Sequence, residues 1–319
     1  MTETIDAIAA LLGRADFDGV YAEADGIRRA SVGEEIRIRA LLEFSNYCKR
    51  QCRYCGLNAT NRKLTRFRLE PQEIIETSLA AVEAGYRTVV LQSGEDNSYS
   101  PETIGDIVKA VKGSGAAVTL SCGEYPEEIY RYWRECGADR YLLKHETSDA
   151  GLYAELHPDS RLEDRVACQR SLKRLGYETG GGFMIGLPGQ TLRTVASDLL
   201  LLKDVGVQMA GIGPFLPHPD TPLRDAPHGS AELTTRAVAI ARLLLPNANL
   251  PATTALGVLD AQSKRSVFDC GANVIMQKVT PSRVKRLYEI YPSSLKDTDI
   301  RTDRLRVEEE ILAMGRIPQ

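Results

Sequence analysis

Ile36-Arg37-Ile38-Arg39-Ala40-Leu41-Leu42-Glu43-Phe44-Ser45-Asn46-Tyr47-Cys48-Lys49-Arg50-Gln51-Cys52-Arg53-Tyr54-Cys55-Gly56 is the stretch on which the fold turns. Its first ten residues, 36–45, read as a strand rich in branched and aliphatic side chains. A loop follows at once, with cysteines at 48, 52 and 55. Soft thiolates crowded this way select iron–sulfur clusters, zinc or cuprous copper. Structural zinc takes four protein ligands, and ferredoxin cubanes also take four cysteines. Three thiolates on a four-metal cluster leave one iron open to another ligand.

Outward from this stretch the chain alternates. Further strand signals fall at 87–93, 117–122, 140–146, 179–187, 209–215, 249–255 and 273–276. Helical patterns lie between them at 71–85, 101–114, 126–136, 162–175, 191–205 and 232–244. Pro71 and Pro101 stand where a first helical turn tolerates proline, and glycines stand where helices stop. Eight strand signals with intervening helices predict an α/β fold, a parallel (β/α)8 TIM-type barrel; an open doubly wound sheet is the rival. No Pro-, Gly- or Ser-rich linker divides the chain, so residues 1–319 read as one domain. Residues 1–30 read as an N-terminal helical cap and 297–319 as a charged C-terminal helix.

The 319 residues are 43% hydrophobic and carry a net charge of −3. Nothing in that balance points to nucleic acid or an anionic membrane. The first ten residues lack the positive charge that opens a signal peptide, and no apolar run spans a bilayer, so a cytoplasmic location is expected. Seven cysteines, three of them bunched, suit metal binding better than disulfides. Cys122, Cys136, Cys168 and Cys270 read as small buried hydrophobes.

In a barrel of this kind function sits on the loops after the strands. Polar clusters fall there: Gln92-Ser93-Gly94-Glu95-Asp96, Ser121-Cys122-Gly123-Glu124, Lys144-His145-Glu146-Thr147 and Thr253-Thr254. Their convergence on one end predicts a single internal site. His145, His157, His218 and His228 show no metal spacing, and His218 reads as a loop-shaping residue among prolines.

The spacing Cys48, Cys52, Cys55, with Tyr54 before the last cysteine, resembles the signature loop of the radical S-adenosylmethionine (SAM) superfamily. That resemblance implies one [4Fe–4S] cluster on the three thiolates, with SAM on the fourth iron. It implies reductive cleavage of SAM to a 5′-deoxyadenosyl radical. A zinc-stabilised binding barrel without turnover is the alternative from another class. Within the resemblance, Gln92, Ser93, Gly94 and Glu95 match an element that grips the SAM amino group, with Ser93 in place of the family's first glycine. The glycine-rich strand at 180–189, with Ile185 and Leu187, resembles the segment against the adenine. Ser121, Glu146 and Arg165 complete the implied SAM side, since a carboxylate can bind the SAM amino group or ribose and a guanidinium can bind its carboxylate bidentately.

Longer stretches narrow the resemblance. Leu91-Gln92-Ser93-Gly94-Glu95-Asp96, Leu142-Leu143-Lys144-His145-Glu146-Thr147, Pro217-His218-Pro219-Asp220-Thr221-Pro222 and Pro251-Ala252-Thr253-Thr254-Ala255 are similar to the HydE family of [FeFe]-hydrogenase maturases. Biotin synthase and methylornithine synthase are more distant relatives. The match runs from about residue 30 to residue 292. It implies a role in assembling the di-iron subcluster of the hydrogenase, on an anionic cysteine-bound iron species, with HydG, HydF and a reductant as partners. A methylornithine synthase-like enzyme acting on an amino acid is the alternative. Arg39, Thr119, Lys144, Thr253, Thr254, Tyr288 and Tyr291 are then expected at the substrate end. Arg39 or Lys144, if buried, needs an anion to offset desolvation, or an ion pair with a residue such as Glu43. Two departures stand out. Lys144 occupies a place where the family tends to carry Arg. No cysteine follows Cys270, so a single cluster is expected.

Overall fold

The computed structural model describes residues 3–288, 290–292 and 299–319. Seven parallel strands form one curled sheet: β1 (Glu35–Ser45), β2 (Thr88–Ser93), β3 (Ala117–Ser121), β4 (Arg140–Leu142), β5 (Glu178–Ile185), β6 (Met209–Pro214) and β7 (Val274–Lys278). Their order is β6-β5-β4-β3-β2-β1-β7, so neighbours in sequence are neighbours in space except at β7, which returns to β1. Such connections need helical crossovers, and helices separate most consecutive strands. The central strands are buried along nearly their whole length, as expected when helices cover one face and the curled sheet's own interior the other.

The local chemistry explains the boundaries. Helices Pro71–Glu83 and Pro101–Lys112 both open on proline, and Ser100 accepts a hydrogen bond from Thr103 N to cap the second. Helix Leu192–Val205 begins with a Thr191/Thr194 capping box and ends at Gly206, whose φ of 68° suits glycine.

Two expectations are corrected. The strand expected at 249–255 reduces to isolated bridges, Met209–Asn249 and Pro251–Val274. Pro251 has no N–H for a ladder, and Thr253 caps a helix, Thr254–Leu259, by accepting from Leu256 N. Segment 249–251 still bonds to both edges of the sheet: Ala210 N donates to Asn249 O at 3.0 Å and Asn273 N to Leu250 O at 2.9 Å. The C-terminal region is also more than a helix. Ile300–Ala313 is helical, but Ile317–Pro318 (β8) pairs with Glu35 and Ile36 of β1. Residues 297 and 298 of the expected helix lie outside the described residues.

The N-terminal residues form two helices, Ile5–Leu12 and Asp18–Val32. They lie against Leu192–Val205 and Ala231–Leu244 in the outer helical layer. All seven cysteines are free; Cys122, Cys136 and Cys270 are buried and Cys168 is half-buried.

Candidate functional site

The end of β1 delivers the cysteine loop to the rim where the strands' C-terminal ends meet. The pairing register shifts between Glu43 and Ser45, a bulge that turns the chain as it leaves the sheet. The loop is then pinned to the end of β2. Lys49 N donates to Glu95 O at 3.0 Å, Gly94 N to Ser45 O at 3.1 Å, and Glu95 N to Cys48 Sγ at 3.4 Å. A Cβ on Gly94 would stand 2.2 Å from Tyr47 O, so only glycine lets β2 lie this close to the loop.

Burial pushes all three thiols up, Cys52 to about 12, and the neighbouring cysteines add to the rise at Cys52 and Cys55. They are thus near enough to repel one another as thiolates, a repulsion that a bound cation reverses. All three candidate ligands are thiols, a soft set that suits an iron–sulfur cluster or zinc.

Two arginines and two carboxylates lie behind the loop. Arg50 Nε donates to Glu95 Oε2 at 2.7 Å and its Nη2 to Glu124 Oε2 at 2.5 Å. Arg165 Nε donates to the other oxygen of Glu124, and Nη1 to Lys144 O at 2.9 Å. Arg165 Nη2 makes a long contact, 3.9 Å, with Glu95. Burial raises the Glu95 carboxyl against the pull of Arg50 and Arg165.

Beyond β4 the chain keeps bonding to β5, with His145 N and Glu146 N both donating to Gly182 O. Glu146 has φ 64°, the one positive value on a non-glycine among the described residues. Its carboxylate meets Lys144 Nζ at 3.0 Å. Strained backbone of this kind persists where the surroundings over-determine it, and it clusters at functional sites. Lys144 lies along the glycines of β5 and β6, its Cε 2.8 Å from where a Gly182 Cβ would be.

The other residues expected at the site divide into groups. Tyr54 and Leu187 share a small apolar cluster with Leu156 and Phe215, and Ile185 is buried beneath. Ser121 pairs with Gln92 across β3 and β2, and Gln92 Nε2 donates to Tyr288 Oη at 3.2 Å. Thr119 is buried two pairs lower, with no partner for its hydroxyl among the described residues. Thr253 abuts Gly213 of β6, and Thr254 hydrogen-bonds Tyr291. Burial, then the Glu43 carboxylate, holds both tyrosines well above the usual phenol range. Glu43 is not the partner of Arg39 or Lys144. It takes Lys278 Nζ at 2.8 Å and Thr280 Oγ1 at 3.2 Å.

Arg39 stands apart. Its Nη1 contacts Met209 Sδ at 2.9 Å, and its charge is felt by Arg140 and Glu178. These are the first residues of β6, β4 and β5. Arg39 therefore faces the opposite end of the strands from the cysteine loop. Burial lowers its pKa to about 9, and Arg140 and Arg37 add to the effect.

Sequence reasoning named Glu124 only within a polar cluster and missed Arg50, Lys278 and His157. Tyr54 Oη lies 2.9 Å from His157 Nε2. His157 is 1% exposed, and burial lowers its pKa to about 4. A basic residue midway between the first two cysteines and a carboxylate after β3 were the available signals for Arg50 and Glu124. His218 shapes its loop as expected, its Nδ1 accepting from Asp220 N at 3.1 Å.

A curled parallel sheet, a three-cysteine loop on its first strand and polar strand ends around that loop define a class. The chain belongs to the radical SAM superfamily, whose sequence profile matches residues 42–202; enzymes of this superfamily use a [4Fe–4S] cluster and SAM. Within it, the chain is 51% identical over 285 residues to the [FeFe] hydrogenase maturase subunit HydE of Thermotoga maritima, covering 88% of this chain and 82% of that one. It is 29% identical to 3-methylornithine synthase of Methanosarcina acetivorans over 89% of this chain and 80% of that one. The crystal structure of methylornithine synthase (PylB) superposes with a TM-score of 0.84 at 25% identity, covering all of this chain and 95% of that one.

Proposed function

We propose that this chain is a HydE-like radical SAM enzyme that acts in the cytoplasm on the di-iron subcluster of the [FeFe]-hydrogenase. The observation that carries the reading is the position of the cysteine loop: it leaves β1 at the same strand ends that present Glu95, Glu146, Lys144 and Arg165. The 51% identity to HydE, against 29% to methylornithine synthase, supports the maturation role over the amino-acid alternative.

On this reading Cys48, Cys52 and Cys55 hold the cluster. When bound, the cluster and SAM supply one-electron cleavage chemistry. Tyr54, Gln92, Ser93, Gly94, Ser121, Ile185 and Leu187 wall the SAM side. Glu146 would accept from the SAM amino group or ribose, and Arg165 would offer its Nη2 edge to the SAM carboxylate while Glu124 holds its other side. Glu95 and Glu124 keep both arginines of the network in place. Lys144 is already paired with Glu146 at 3.0 Å, and an anionic substrate would exchange into that pair. Thr119, Thr253, Thr254, Tyr288 and Tyr291 line that substrate's walls, and Arg39 forms the floor. HydG, HydF and a reductant are the proposed partners.

Anaerobic reconstitution tests the reading. A brown protein with about four irons per chain that cleaves SAM with dithionite is expected. Its addition should restore hydrogenase maturation in an extract lacking HydE. A colourless zinc protein indifferent to SAM would refute it.

A further inference from the structure

The segment Leu156–Asp159, after helix Ala150–Leu156, runs along the cysteine loop and is tied to it at four points. Arg50 Nη1 donates to Asp159 O at 2.9 Å, and Gln51 N to Asp159 Oδ1 at 3.4 Å. Arg53 N donates to Leu156 O at 3.0 Å. Tyr54 Oη meets His157 Nε2 at 2.9 Å. Three of these ties use loop or segment backbone. The fourth joins two side chains in the interior, and its polarity is fixed by the other ring nitrogen.

His157 Nδ1 lies 3.1 Å from Tyr153 O. A carbonyl only accepts, so Nδ1 carries the ring proton and Nε2 is bare. Tyr54 is therefore the donor. The imidazole is further held by stacking on Tyr153, with ring centroids 4.1 Å apart. It meets the Tyr54 ring edge-on at 5.3 Å. Neither ring has freedom to turn away.

We infer that His157 is a positioning residue: it holds the Tyr54 hydroxyl, and with it the Cys52–Cys55 turn, in the attitude in which the loop meets SAM. Leu156–Asp159 is the splint, and His157 is tied to the loop through its side chain, so replacing it leaves the backbone ties in place. The inference rests on the radical SAM reading of the loop.

The test uses the cluster-loaded protein and SAM binding rather than turnover. His157→Phe keeps the stacking and removes the acceptor, while Tyr54→Phe removes the donor. Each should raise the SAM Kd about 3- to 10-fold, the effect of one net hydrogen bond, with iron content unchanged. The double variant should be no weaker than either single within about twofold, because both remove the same bond. His157→Gln should recover most of the affinity. Losses that multiply in the double variant, or a Tyr54→Phe protein with unchanged Kd, would overturn the inference. Should His157→Phe not fold, Tyr54→Phe and His157→Gln decide by the same criteria. A second readout is independent of SAM. With four histidines in the chain, 15N NMR of the ring should find Nδ1 protonated and Nε2 bare in His157, and the reverse tautomer would refute the geometry. A wild-type protein that does not bind SAM would sink the radical SAM reading instead, while the NMR result still judges the tautomer.

Discussion

The two ends of the sheet both bury charge, and they do it differently. At the loop end each buried ion faces its opposite: Arg50 and Arg165 against Glu95 and Glu124, Lys278 against Glu43, Lys144 against Glu146. At the other end neutral groups do much of the work. Arg242 is satisfied by Gly271 O, Pro246 O and Asn273 Oδ1, and burial lowers its pKa to about 10. Arg37 rests on Asn249 and Gln319 side-chain oxygens. Arg39 has a sulfur. The first end is electrostatically closed before anything binds, so a ligand there must exchange partners. The second also pairs ions, Arg140 with Glu178 and Arg28 with Asp25 and Glu34, but Arg39 there has a thioether and no carboxylate at hydrogen-bond distance among the described residues.

The largest expected effect lies at the loop. Cys48→Ala, Cys52→Ala or Cys55→Ala should each abolish SAM cleavage and bleach the brown colour, read by iron analysis and by product chromatography. Normal cleavage in any one would remove that residue from the ligand set.

This end was also the more legible. Thiolate spacing directly after a strand is a local pattern, and local patterns survive in a single sequence. The alternation of strands and helices was legible for the same reason. What failed was long-range. β8 is two residues paired with β1 across almost the whole chain, and nothing in Ile317-Pro318 announces that partner. The strand at 249–255 had the right composition, but Pro251 and the capping hydroxyl of Thr253 ended it. His157 was judged only as a metal ligand, whereas its role depends on Tyr54, a hundred residues away in sequence. Arg39 was expected at the substrate end from the resemblance alone, and a single sequence could not say how far along β1 its side chain would find Met209.

The paired charges of the loop end can be broken singly. Glu124→Ala leaves Arg50 and Arg165 sharing one buried carboxylate and should cost about 3 kcal/mol, measured by urea unfolding. Glu124→Gln keeps an acceptor and should cost less. If both variants unfold like wild type, the network is solvated and the comparison between the two ends fails.

Acid sharpens the same comparison. The His157 imidazole titrates near its ordinary 6.5 when unfolded but at about 4 in the fold. Burial is the main cause and Arg165 adds to it, while Glu146 and Glu124 oppose. A depressed folded pKa means the unfolded chain binds the proton first. The neutral ring's contribution is therefore complete above pH 6.5 and is lost as pH falls towards 4, worth about 3 kcal/mol over that window. Unfolding free energy against pH should show this slope, and His157→Phe should flatten it. An unchanged slope would assign the acid sensitivity to groups other than His157.

The smallest effect is expected at the far end, and its sign is informative. Arg39→Met replaces a buried cation that has no carboxylate partner among the described residues with a side chain suited to pack beside Met209. Removing such a charge should stabilise the fold by about 1 kcal/mol, a rise of about 2 °C in Tm for a chain of this size. SAM cleavage should persist, because the cysteine loop lies at the other end of the strands. Conversion of an anionic substrate should fall if Arg39 is the floor of its site. A more stable variant that still cleaves SAM but has lost its substrate would show that the far end keeps its charge for binding, at a cost in stability that the loop end avoids by pairing. A variant less stable than wild type would instead mean that Arg39 is already compensated, and the contrast between the ends would disappear.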